Sequence, residues 1–154
     1  KVALDYLDPE TNEKYIPYVV EPSVGVERLF LVTLFNAYDK ELLESGEERE
    51  VLRLHPALAP YKVAVLPLIK KRHSEKAIEV YQQLAKSFVV TYDETQQIGK
   101  RYRRQDAIGT PFCITVDDQT IEAGTVTVRN RDTMLQDVVK LEDLESYIAS
   151  RIKF

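Results

Sequence analysis

Several residue types that often reveal a protein's chemistry are scarce in this chain of 154 residues. It has one cysteine, one methionine, two histidines and no tryptophan. The single cysteine, Cys113, excludes an internal disulfide, and its apolar neighbours predict a packed core side chain rather than a nucleophile. Neither His55 nor His73 has a Cys, His or Asp at ligand spacing, so we expect no metal site.

Long apolar runs are also missing. No run approaches the ~20 residues needed to cross a bilayer, and the amino end lacks the basic-then-apolar order of a signal peptide. We therefore expect a soluble, cytoplasmic protein with no membrane partner. The chain begins with Lys1 inside a strand-like segment, so we expect it to be a piece of a longer protein.

Neither charge dominates the chain, whose net charge is −4. A hydrophobic share of 44% excludes a chain that is disordered for lack of apolar residues. Residues 1–57 hold six Lys and Arg against twelve Asp and Glu, whereas residues 58–154 hold fifteen against thirteen. A nearly neutral second half does not by itself demand nucleic acid, so local clusters must decide.

The order of the predicted elements changes near residue 58. Before it, the patterns predict strands at 2–7 and 15–21, a helix at 25–43, a solvated helix end or loop at 44–50, and a linker around His55-Pro56 and Ala59-Pro60. After it, they predict strands at 62–68, 88–92, 112–116 and 125–129, with helices at 75–87, 95–107 and 141–152. Ser74 is the predicted cap of the first of these helices.

Alternating strands and helices predict an α/β fold with a mixed sheet of about five strands flanked by helices. An antiparallel hairpin and a helix precede it. The sequence therefore predicts two parts, 1–57 and 58–154.

The first candidate site lies where a predicted strand opens into a helix. Its sequence is Val20-Glu21-Pro22-Ser23-Val24-Gly25-Val26-Glu27-Arg28. A helix start favours anions, and Arg28 in the first turn adds a cation suited to phosphate. Glu21 suits an ammonium group. A capped helix with a surface arginine explains the same pattern, so both interpretations stay open.

The second candidate site is a basic helix face, and the third is a strand with alternating polarity. Helical spacing puts Ile98 and Tyr102 on one side and four cations on the other, namely Lys100, Arg101, Arg103 and Arg104. These cations indicate either a solvated face or a phosphate-binding one.

In the strand, alternation buries Val126 and Val128. It puts four polar or cationic residues on the opposite face, namely Thr125, Thr127, Arg129 and Arg131. Such groups on an exposed strand end can bind the edges of unstacked bases, although an ordinary half-exposed strand has the same alternation.

The first site resembles motif 3 of class II aminoacyl-tRNA synthetases in its glycyl form, in which a Glu-Pro-Ser segment precedes a Gly-x-x-Arg helix start. The resemblance implies that Arg28, as the catalytic residue, and Gly25 bind ATP. It also implies that Glu21 and Ser23 face the amino group of glycine. Motifs 1 and 2 of that family are absent, so the chain by itself is expected to be inactive and to hold neither ATP nor Mg²⁺.

Two later segments resemble the anticodon-binding domain shared by the glycyl, threonyl, prolyl and histidyl enzymes. They are Gly99-Lys100-Arg101-Tyr102-Arg103-Arg104-Gln105 with the residues that follow, and Val126-Thr127-Val128-Arg129-Asn130-Arg131-Asp132. By its likeness to the threonyl branch, Glu122 and Arg131 would contact anticodon bases. Arg129, on the same strand, would also discriminate bases, and Lys100, Arg101, Arg103 and Arg104 would contact the phosphates of the tRNA.

The whole resemblance implies a cytoplasmic, homodimeric glycine-tRNA ligase that joins glycine to tRNA(Gly) with ATP and Mg²⁺, of which this chain supplies mainly anticodon binding. One alternative is a non-catalytic, synthetase-like accessory protein that binds nucleic acid. Another is a small-molecule-binding α/β module, which leaves the arginine clusters unexplained.

Overall fold

The computed structural model describes residues 4–153. The chain divides into two compact units, Lys1–Phe30 and Leu31–Phe154. The boundary predicted between residues 57 and 58 therefore falls inside the second unit. Each unit is described by itself below.

The first unit contains a short antiparallel hairpin. Strands β1 (Tyr6–Leu7) and β2 (Lys14–Tyr15) pair Tyr6 with Tyr15 and Leu7 with Lys14. Both strands are shorter than predicted, and residues 2–3 lie outside the described part of the chain. Residues 16–25 form no regular element. Pro17 and Pro22 lack the backbone N–H group that a longer ladder needs.

Helix α1 (Val26–Ala37) starts in the first unit and ends in the second. It is followed by a second hairpin made of β3 (Tyr38–Leu42) and β4 (Glu48–Leu52), which turns at Gly46 with a φ of 80°. The prediction of a helix to residue 43 and a helix end or loop at 44–50 is therefore wrong. The alternation that marks β4 is hidden in the sequence, because one of its two buried residues is Arg49.

A mixed five-stranded sheet forms the centre of the second unit. Its strands are β5 (Val63–Pro67), β6 (Val90–Tyr92), β7 (Phe112–Val116), β8 (Thr125–Asn130) and β9 (Gln136–Lys140), in the order β6-β5-β7-β8-β9. Its helices are α2 (Lys70–Leu84), α3 (Ile98–Ile108), α4 (Asp118–Ala123) and α5 (Leu144–Ala149). β5 is parallel to β6 and β7, and the other pairs are antiparallel. The predicted α/β fold is confirmed.

Helices cover the two faces of the sheet differently. On one face, α2 and α5 bury side chains such as Val80 and Ile148 against strand residues such as Val65 and Ile114. On the other face, Ile98 and Tyr102 of α3 pack on a smaller cluster made of Ala64, Leu66 and Cys113.

Three local features differ from what the sequence predicts. Ser74 does not cap α2, which begins at Lys70, and its hydroxyl instead donates to the backbone oxygen of Lys70 at 2.6 Å. Helix α4 was not predicted, and it begins at a reciprocal capping box formed by Asp117 and Thr120. Strand β9 was not predicted, since Val139 is its one buried residue and no apolar alternation shows.

Gly109 ends α3 in the left-handed conformation, with a φ of 89°. A Cβ atom added to Gly109 would lie 2.9 Å from the backbone oxygen of Leu52 in β4. The end of α3 therefore meets the second hairpin backbone to backbone.

Candidate nucleic-acid interface

The buried carboxylate of Asp106 in α3 joins two arginines from other elements. Arg129 of β8 donates to its two oxygens at 2.8 and 3.1 Å, and Nε of Arg49 in β4 donates at 2.8 Å. Arg49 also donates to Glu41 and to the backbone oxygen of Arg131. Burial alone lowers the pKa of Arg49, but its hydrogen bonds to Asp106 and Glu41 outweigh burial and raise that pKa.

Arg131 and Arg101 are also buried. Arg131 donates to the backbone oxygens of Gly109 at 2.8 Å and Leu54 at 2.7 Å. Arg101 donates to the backbone oxygens of Thr95, Pro67 and Gln96. Each guanidinium donates hydrogen bonds to backbone carbonyl groups of separate segments, so both arginines stabilise the fold.

The expectation that Arg101, Arg129 and Arg131 lie on exposed surfaces is therefore wrong. Alternation does put Arg129 opposite Val126 and Val128, as predicted. That opposite face is covered at Arg129, however, because Asp106 of α3 and Arg49 of β4 both reach it.

Two of the four helix cations remain on the surface without a strong internal bond. Arg104 is bound to Asp93 by two hydrogen bonds, at 2.9 and 2.5 Å. Lys100 is exposed, and half-buried Arg103 lies 3.7 Å from a carboxylate oxygen of Asp106 and 3.9 Å from Glu47. Lys100 and Arg103 line an open groove of about 590 Å³ together with Glu47, Glu48, Glu50 and Ala107. The basic front of α3 is thus smaller than predicted and has acidic neighbours.

Beyond α3, the outer strands leave part of the same sheet face open. Paired residues share a face, and the register pairs Thr125 with Lys140 and Thr127 with Val138. Both threonines are half-buried, whereas Val138 is 74% exposed. We call these four residues the open strand face. They offer hydroxyl groups, an apolar surface and a cation, which are the groups that contact unpaired bases and phosphates.

Glu122 lies on α4, not on a strand, and is exposed. This short helix is held by the capping box at Asp117 and by bonds to Asp118 from Arg72, at 2.8 Å, and from buried His73. Nδ1 of His73 accepts from the backbone N–H of Ile69 at 3.0 Å, so Nε2 carries the proton and donates to Asp118 at 2.9 Å. Gly124, with a φ of 66°, ends α4 just before β8. Glu122 is exposed there, and its contact with a base stays a prediction.

In the first unit, the motif around Arg28 is exposed from Glu21 to Arg28. The backbone N–H of Leu29 donates to the oxygen of Gly25 at 3.0 Å, so the helix does begin at the predicted place. An exposed arginine beside the unpaired N–H groups of a helix start fits a phosphate-bearing ligand such as ATP. The roles of Glu21, Ser23, Gly25 and Arg28 stay predictions.

A family model described as the anticodon binding domain matches residues 62–151. The chain belongs to this family. Its anticodon-binding domain thus comprises the five-stranded sheet and helices α2 to α5 of the second unit.

Curated relatives extend the similarity beyond the anticodon-binding domain. A glycine-tRNA ligase of Clostridium beijerinckii is 56% identical over 151 residues, which cover 98% of this chain and 32% of the relative. One from Clostridium perfringens is 59% identical over 155 residues, covering 98% of this chain and 33% of the relative. The chain spans about a third of the length of these relatives.

Two solved structures share the fold of the anticodon-binding domain. The RNA binding domain of threonyl-tRNA synthetase from Cryptosporidium parvum Iowa II has a TM-score of 0.59 at 22% identity, covering 76% of this chain and 35% of its own. Histidyl-tRNA synthetase from Nostoc sp. PCC 7120 has a TM-score of 0.57 at 25% identity, covering 61% of this chain and 23% of its own.

Other kinds of chemistry find little support in the described residues. Cys113 is buried and its pKa is raised to about 12 by burial, so its thiol stays protonated at neutral pH. Within residues 4–153, no three His, Cys, Asp or Glu side chains gather where they could hold a metal ion. The helices found there are too short or too polar to cross a bilayer.

Sequence reasoning missed the second hairpin and its buried Arg49. A signal was present in the acidic run 44–50, where Arg49 is the one cation. A lone arginine among glutamates was interpreted as solvated, whereas its partners Glu41 and Asp106 lie on other elements.

Proposed function

We propose that the chain binds the anticodon arm of tRNA through the open strand face. The observation that carries the proposal is the pairing of Thr127 with 74% exposed Val138 beside Thr125 and Lys140, in a domain of the anticodon-binding family. Unpaired bases can lie against Val138 and hydrogen-bond the threonines, while Lys140 attracts the backbone. Glu122 and the cations Lys100 and Arg103 would border this contact.

The proposal extends to a longer protein that joins glycine to tRNA(Gly). High identity to glycine-tRNA ligases over nearly the whole chain supports it. In such an enzyme ATP supplies the activating phosphates, and Arg28 with the helix start at Gly25 would bind and orient them. Glu21 and Ser23 would accept the ammonium group of glycine. Mg²⁺, a homodimer and a cytoplasmic location belong to the same proposal.

Competition binding with RNA hairpins tests the open strand face. Val138→Asp replaces an apolar surface with a carboxylate among the expected bases and phosphates, so it should weaken binding of a hairpin with the glycine anticodon through lost apolar contact and charge repulsion. Val89→Asp is the matched control, since Val89 is another exposed valine, lies just before β6 at the opposite edge of the sheet and gives the same charge change.

Fluorescence anisotropy of a labelled hairpin reports both affinities. Equal affinity of the two aspartate variants would remove the open strand face from the proposal. A wild-type chain that binds glycine and swapped anticodons equally weakly would contradict anticodon binding itself.

A further inference from the structure

The second hairpin, β3 and β4, is fastened to the sheet by charges that the proposed function does not use. Arg49 is fully buried and donates to Asp106, to Glu41 and to the backbone of Arg131. Arg53 adds bonds to Asp39 at 2.8 Å and Glu41 at 2.7 Å, and an ion pair with Asp132 at 3.3 Å. These bonds join the second hairpin to α3 and to the end of β8, which are distant from it in the sequence.

The position of that point matters for RNA. Asp106 binds Arg129, whose cross-strand partner is Gln136, and along the same face of β8 the next residue is Thr127 of the open strand face. Arg49 reaches the same carboxylate and the backbone oxygen of Arg131, so β4 lies at the end of β8 that follows Thr127. The hairpin therefore forms a boundary of the proposed RNA site.

The exposed side of this boundary is acidic. Glu47, Glu48 and Glu50 are exposed. Lys40 pairs with Glu48 at 2.7 Å, and Glu47 lies 3.9 Å from Arg103 of α3, so three carboxylates stand beside two cations. Carboxylates repel a phosphate backbone at short range, so they restrict the paths that an RNA strand can take across the face. An RNA backbone beside Lys140 would avoid these glutamates, whereas a backbone that crosses the hairpin would meet them.

We propose that Arg49 and Asp106 are positioning residues for RNA selectivity, because they hold the acidic hairpin against the open strand face. The proposal rests on the proposed anticodon binding and adds a device that rejects wrongly placed RNA. Neither residue touches RNA, since both are buried.

The principal test is Arg49→Gln, which removes the hairpin's bond but leaves Asp106 paired with Arg129. We expect the variant to fold, with faster amide hydrogen exchange in residues 38–52. We also expect the ratio of affinities for glycine and swapped anticodon hairpins to fall at least about threefold, mainly through tighter binding of the swapped hairpin. Arg151→Gln is the control, because it removes the same charge on the other face of the sheet. There, on the face covered by α2 and α5, Arg151 stacks on Tyr147.

A second variant keeps the test decisive if Arg49→Gln fails to fold. Glu47, Glu48 and Glu50 are changed together to Gln, and Glu75, Glu79 and Glu145 to Gln in a charge-matched control on α2 and α5. The first triple variant should lose selectivity and the second should keep it. An unchanged ratio in the hairpin variants overturns the positioning role while leaving anticodon binding intact. A wild type without any preference instead removes the proposed function.

Discussion

The guanidinium of Arg129 meets both carboxylate oxygens of Asp106 inside the second unit, at 2.8 and 3.1 Å. A residue that resembled a base-reading arginine in the sequence is therefore committed to the protein's own interior. Its partner carboxylate also receives Arg49, so one negative charge serves two buried positive charges.

Asp106→Asn should be strongly destabilising. Removing the carboxylate charge takes the counter-charge from buried Arg129 and leaves Arg49 with Glu41 alone, and breaking a buried ion pair typically costs about 3–5 kcal/mol. Urea unfolding followed by circular dichroism gives the free energy of unfolding. Asp143→Asn, on an exposed aspartate before α5, should change it by less than about 0.5 kcal/mol. Similar values for both variants would show that the network contributes nothing to stability.

Arg131→Met should reduce stability more than it alters RNA preference. The variant leaves the carbonyl oxygens of Gly109 and Leu54 without their donor, at a cost of about 1–3 kcal/mol each. Thermal unfolding and hairpin competition on the folded protein separate the two effects. A variant that is as stable as the wild type but has lost its preference for the glycine anticodon would restore the base-reading role first expected for Arg131.

Lys100 and Arg103 should contribute affinity without selectivity. Changing both to Gln removes two surface cations, so binding should weaken for every RNA, and the slope of log affinity against log salt should fall by about 1–2. The control is Lys86→Gln with Lys71→Gln, two exposed lysines of α2 and its end. Titrations at several salt concentrations measure the slopes, and identical slopes in wild type and variant would exclude phosphate contacts by α3.

Acid should weaken the contacts of Glu94. Hydrogen bonds from Lys70, Tyr92 and Ser74 lower its pKa from 4.5 to about 2. A lowered folded-state pKa stabilises the protein above the unfolded pKa, and this contribution disappears as pH falls from about 4.5 to 2. Glu94→Gln should therefore flatten the loss of stability in that window, whereas Glu75→Gln should not. Parallel pH profiles for both variants and wild type would contradict the lowered pKa.

The effect of Arg28→Ala is to be measured in the longer ligase. If Arg28 binds the phosphates of ATP, its loss should slow glycine-dependent pyrophosphate exchange by an amount equal to about 1.5–3 kcal/mol, the value of a charge-assisted hydrogen bond. Lys14→Ala, in the nearby hairpin, serves as the control. An unchanged exchange rate would make Arg28 an ordinary surface arginine.

The sequence predicted the central sheet well because its strands follow the expected patterns. β7 is a continuous apolar run and β8 alternates cleanly, so both were found within a residue. β4 was missed because its buried Arg49 has the partner Asp106 far along the chain, and local patterns do not record distant partners. β9 was missed because Val139 is its one buried residue, so its sequence shows no alternation.

The candidate site was predictable only in part. Thr125 and Thr127 were correctly placed on the polar face, but the coverage of that face depends on α3 and the second hairpin. An alternating pattern distinguishes two faces without telling which face meets water. Burial by a charged network therefore reversed the expected exposure of Arg129 and Arg131.

Gly109 shows how one missing side chain governs this arrangement. The α3 terminus and the hairpin touch there with no space for a methyl group, since an added Cβ would lie 2.9 Å from the Leu52 oxygen. Any larger residue at position 109 would push the hairpin away from α3. The backbone oxygen of residue 109, which accepts a hydrogen bond from Arg131, would then shift as well. Because Gly109 has no side chain, α3 and the hairpin lie close enough for the neighbouring arginines to form their hydrogen bonds.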